Sequence, residues 1–93
     1  MGIDGHSIRI LCDALCLLHY EGINYHGVIE NISLSGALIK MSGKMPEGIR
    51  PGDTCGLMLC RTPEVCPIEY NCRVVRLAPA QVGVQFLEMN IVD

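Results

Sequence analysis

Short apolar runs with an alternating pattern recur along this chain, and Gly, Pro or Asn cuts them about every ten residues. Val82, Val84 and Phe86 alternate with Gly83 and Gln85. Leu57 and Leu59 alternate with Gly56 and Met58, and Ile68, Tyr70, Cys72 and Val74 alternate with Glu69, Asn71 and Arg73. A repeat of two places one set on each face of a strand. The pattern predicts strands at Ala14–Tyr20, Tyr25–Asn31, Ala37–Met41, Thr54–Cys60, Pro67–Leu77 and Val82–Leu87. No window carries a helical stripe. Ser42–Asp53, with Gly43, Pro46, Gly48, Pro51 and Gly52, reads as a turn-rich crossing. Six short antiparallel strands around an aliphatic interior imply an all-β fold, a small barrel or tight sandwich with little or no helix.

The first hairpin invites a register. If Glu21–Asn24 closes it, with either a two- or a four-residue loop, Tyr20 pairs with Tyr25 and His19 faces His26. Two facing histidines are half of a metal site. No third ligand accompanies them, so they read as exposed hairpin residues and no metal is expected.

Composition sharpens this picture. The chain has 93 residues, 49% hydrophobic and 18% charged, with three Tyr, one Phe and no Trp. It is one small domain with a core of Leu, Ile, Val, Met and Cys. Seven Lys+Arg against ten Asp+Glu give a net charge of −3, which argues against a DNA or RNA binder. A local arginine cluster can still hold a small anion. No run approaches the roughly 18–20 apolar residues of a membrane span. The first residues carry no secretory pattern, so the expected location is cytoplasmic. Cys12, Cys16, Cys55, Cys60, Cys66 and Cys72 are irregularly spaced without a C-x-x-C, and read as buried or half-buried thiols. No nucleophile–base pattern, P-loop or dinucleotide fingerprint is present, so the chain is not expected to be an enzyme.

The informative stretch is Asn31-Ile32-Ser33-Leu34-Ser35-Gly36, followed by Ala37-Leu38-Ile39. Asn and Ser cap turns and Gly permits a close approach or positive φ, so the run suits a turn between strands for backbone reasons alone. It also matches [D/N]-x-S-x-x-G, and in that place it resembles the turn of the PilZ domain, a bacterial receptor module for cyclic di-GMP. Pro51-Gly52-Asp53 ahead of Leu57-Met58-Leu59 is similar to the start of that family's next strand. Cys72-Arg73-Val74-Val75-Arg76 and Val82-Gly83-Val84-Gln85-Phe86 resemble its closing hairpin and final strand.

The resemblance implies a six-stranded antiparallel β-barrel over residues 11–93, with residues 1–10 as a flexible arm. It also implies a site. The family's R-x-x-x-R motif precedes the first strand, and here Arg9 falls on the second arginine while Gly5 occupies the first position. Arg9 would fork onto a guanine edge. Asn31 would accept from the other guanine edge, Ser33 would add a hydroxyl, and Gly36 would allow close approach. His6 and Ser35 are secondary candidates. Loss of one arginine implies weak binding unless Arg73 or Arg76 points at the same rim. The expected role is a signalling module that binds cyclic di-GMP and relays it to an effector protein, as a monomer or weak homodimer. The alternative is a degenerate barrel that has lost the nucleotide and serves as a protein–protein adaptor.

Overall fold

In the computed structural model, which describes residues 10–60 and 68–87, this alternation becomes six strands. They are β1 (Ile10–Tyr20), β2 (Ile23–Ile32), β3 (Gly36–Met41), β4 (Thr54–Leu59), β5 (Glu69–Ala78) and β6 (Gln81–Phe86). Every neighbouring pair is antiparallel, and the order β1-β2-β3-β6-β5-β4 closes into a barrel through β1 against β4. Closure pairs β1 with β4, the strands that would otherwise be the two edges of the sheet, which is how a small all-β domain escapes edge-to-edge association. The predicted arm at residues 1–10 lies almost wholly outside the described residues.

The interior is aliphatic, as the composition requires. Leu18 from β1, Ile29 from β2, Ile39 from β3, Leu57 from β4, Val74 from β5 and Val82 from β6 are at most 1% exposed. Ile49, from the crossing between β3 and β4, joins them at one end. That crossing is tied down by Asp53. Its Oδ2 accepts from the Tyr20 hydroxyl at 2.7 Å and from the Arg50 amide at 2.9 Å. Its backbone pairs with β5 through Val74 N to Asp53 O at 2.8 Å. The bond to Asp53 and burial push the Tyr20 hydroxyl up to about 12, and the same bond holds the Asp53 carboxyl below its ordinary value.

The first hairpin turns one residue earlier than the sequence suggested. Tyr20 pairs with Ile23, so the loop is Glu21-Gly22 alone, with both residues at positive φ (52° and 82°). This is the two-residue geometry that matches the twist of the flanking strands. It sets the register two residues away from the expected one. His19 therefore faces Asn24, to whose Oδ1 its Nδ1 hydrogen-bonds at 2.7 Å, and His26 faces Leu17. The expected facing histidines are absent.

Two further expectations change. Ile68 and Tyr70 do not share the inward face with Cys72 and Val74; they are 53% and 39% exposed. The pairing of β5 with β6 begins only at Cys72 opposite Phe86, so Glu69–Asn71 are in register with β4 alone, and there Tyr70 leans on Phe86. Cys16, Cys55 and Cys72 are buried thiols as expected, but Cys60 is disulfide-bonded.

Candidate functional site

The site follows from two breaks in the alternation. On β2, Ile29 pairs with Ile39 and Asn31 with Leu38, leaving Glu30 as an extra residue. On β5, Val74 pairs with Val84 and Arg76 with Gly83, leaving Val75 as the extra residue. Each bulge delays the inward phase by one residue. Val74 is buried and Leu77 packs against the core, so the two residues between them face outward. Ile29 and Ile32 bracket Glu30 and Asn31 in the same way. In an unbroken strand, Asn31 and Arg76 would fall on the core-facing side.

The registers then align these residues. Asn31 pairs with Leu38, Leu38 with Gly83, and Gly83 with Arg76. The result is one row across the outside of β2, β3, β6 and β5, about 14 Å long at the usual strand spacing. It forms the floor of an open groove of about 490 Å³. Asn31, Ser33, Ser35 and Gly36 line one end, and Val75 and Arg76 line the other. Leu38, Gly83 and Gln85 lie between. This volume is within the range of small-molecule sites.

The turn at one end is held from within. Ser33 N donates to Gly36 O at 2.8 Å, and Ser35 N donates to Ser33 Oγ at 3.3 Å. Phe86 N donates to Ser35 O at 2.8 Å, which fixes the turn to β6. The hydroxyls of Ser33 and Ser35 stand 3.3 Å apart. These side-chain contacts are long enough for either hydroxyl to turn toward a ligand. Leu34 at the tip is 73% exposed.

Gly36 serves close approach rather than positive φ. A Cβ there would run into the Val84 carbonyl oxygen and sit 3.2 Å from the Gln85 Cα, both backbone atoms of β6. Glu30, the carboxylate nearest in sequence to Asn31, accepts from Gln81 Nε2 at 2.8 Å and is not among the lining residues.

The structure thus brings Asn31, Ser33, Ser35 and Gly36 to one rim. Arg9 and His6 lie outside the described residues. Of the two conditional arginines, Arg76 lines the groove and Arg73 does not. Leu38, Gly83 and Gln85 went unrecognised in the sequence. No local signal marks these three, which come together through the pairing of β3 with β6; the apolar spacing of three, Ile29 to Ile32 and Val74 to Leu77, marks only the outward pairs Glu30-Asn31 and Val75-Arg76.

A closed six-stranded barrel bearing a polar turn and an outer groove matches a known family. The model of the PilZ domain family matches residues 6–93, and the chain belongs to that family. Among solved structures, it is similar to the PilZ domain with c-di-GMP of YcgR from Escherichia coli. The TM-score is 0.75 at 9% identity, over 95% of this chain and 81% of that one. At that identity the likeness speaks for the fold. No curated protein matches the sequence.

Proposed function

We propose that the groove binds cyclic di-GMP and that the chain is a signalling module reading this second messenger. The observation that carries the reading is the convergence of Asn31, Ser33, Ser35 and Gly36 on one rim of an open groove in a PilZ-family barrel. Cyclic di-GMP offers two guanine edges and two phosphates. The Asn31 side chain complements a guanine edge, since its carbonyl accepts from N1–H or N2–H. The Ser33 hydroxyl supplies a second polar contact. Gly36 keeps β3 and β6 close enough to hold the turn on the groove. Arg9, from the N-terminal segment, would close over the ligand and fork onto a guanine edge. Ordering of that segment would then alter the surface offered to a partner protein. The solved relative, described with c-di-GMP, supports the same choice of ligand.

With Gly5 at the first arginine position, affinity should fall about ten- to a hundredfold below that of a two-arginine site. That departure also favours the second reading, a barrel that contacts proteins without nucleotide. Calorimetric titration of cyclic di-GMP into the wild type, Arg9→Ala, Asn31→Ala and Ser33→Ala separates the two. Saturable heat that Asn31→Ala and Arg9→Ala abolish supports the receptor. A wild type without heat at roughly 300 µM, where a complex of about 5 kcal/mol is half-populated, leaves the adaptor.

A further inference from the structure

We infer that Arg76 is the anion-binding residue of the groove and engages a phosphate of the bound cyclic dinucleotide. This inference rests on the receptor reading above and deepens it.

Arg76 is the cationic side chain among the described lining residues. Its orientation is built into the barrel. The bulge at Val75 turns Arg76 out of the core-facing phase, and the register sets it opposite Gly83. A Cβ at Gly83 would lie 3.7 Å from both Cβ and Cγ of Arg76, so the arginine stem lies over a position without a side chain. Gly83 is buried although it sits on the outer face of β6, as expected when the arginine stem covers it. An arginine laid along a glycine has a fixed start and a free guanidinium, which suits the forked recognition of phosphate oxygens. The row from Asn31 through Leu38 and Gly83 to Arg76 therefore has an amide at one end and a cation at the other. A ligand with a base edge and a charged backbone complements both ends at once. Arg76 thus supplies a fixed positive charge in a site where Gly5 has removed one.

Arg73 is the internal control. It lies on the same strand and pairs with Gln85, a lining residue, yet it does not line the groove itself. Both arginines are exposed, so neutral substitutions should leave the fold intact, which circular dichroism verifies.

The test is titration of cyclic di-GMP into the full chain and into Arg76→Gln, Arg76→Lys and Arg73→Gln, each at two salt concentrations. Arg76→Gln should weaken binding by about ten- to a hundredfold, and its affinity should depend less on salt than the wild type's. Arg76→Lys should lose less, because it keeps the charge and gives up only the fork. Arg73→Gln should stay within about twofold. Wild-type binding that Arg76→Gln leaves unchanged overturns the role of Arg76 and leaves the receptor reading standing. Equal losses in Arg73→Gln and Arg76→Gln overturn it too, since general attraction would then account for both. A wild type that does not bind at all overturns the receptor reading itself, and this inference with it.

Discussion

Replacing Gly36 with Ala separates the two roles that a glycine in a binding turn can play. The added Cβ meets the Val84 carbonyl oxygen and the Gln85 Cα, and neither is a side chain that can rotate away. To accept the methyl group, β3 must part from β6 where Gly36 pairs with Gln85. Overpacking of this kind costs about 1–3 kcal/mol. Parting the strands also strains the bond from Phe86 N to Ser35 O, which contributes about 1 kcal/mol when well formed. The sum is about 2–4 kcal/mol, a large share of the roughly 5–15 kcal/mol that holds a domain together. For a chain of this length it lowers the melting temperature by roughly 10–30 °C. Urea and thermal unfolding, with Gly43→Ala alongside, measure it. Gly43 has open space around its Cβ position, so that variant should match the wild type or gain a few tenths of a kcal/mol. Gly36→Ala with wild-type stability would refute the steric argument and return Gly36 to a purely ligand-facing role.

Three other predictions follow from the scaffold. Tyr20→Phe removes the hydroxyl that donates to Asp53 and should lower stability near neutral pH. The raised Tyr20 value makes its contribution complete below pH 10 and lost as pH rises through about 12. The lowered Asp53 value makes its contribution complete above about pH 4 and lost as pH falls below 3.8. The stability gap between wild type and Tyr20→Phe, followed by urea unfolding across pH, should narrow at both extremes; a constant gap would contradict the pairing. Burial pushes Cys55 up to about 11 and Cys72 up to about 12, so a thiol reagent at pH 8 should label them at least about a hundredfold more slowly in the folded chain than in urea. Glu21→Asn should raise stability by a few tenths of a kcal/mol, because asparagine tolerates the left-handed φ of 52° better than glutamate does; a loss in urea unfolding would contradict the turn geometry.

Each strand was legible because a barrel wall buries one face, and burial of one face writes a period of two into the sequence. Val82 and Val84 carried that signal plainly, and both are buried. The polar turn from Asn31 to Gly36 was equally legible, since its residue types have few other uses. The groove was not, for two physical reasons. Bulges at Glu30 and Val75 shift the phase in mid-strand, so strict alternation would turn Asn31 and Arg76 inward and hide the row they share. The row also depends on β3 lying beside β6, a pairing between residues more than 40 apart that no local pattern encodes. The register of the first hairpin was hidden as well, because Glu21 takes a positive φ of 52° and glutamate does not mark a left-handed turn position as Asn or Gly does.

Amide chemical-shift mapping during titration asks whether cyclic di-GMP binds in the outer groove. Binding there should give saturable shifts at Asn31–Leu38, at Val75 and Arg76, at Gly83–Gln85 and around Arg9, with the wall formed by β4 and the Cys16–Tyr20 part of β1 left unmoved. Shifts confined to that opposite wall, or none at roughly 300 µM ligand, would contradict it.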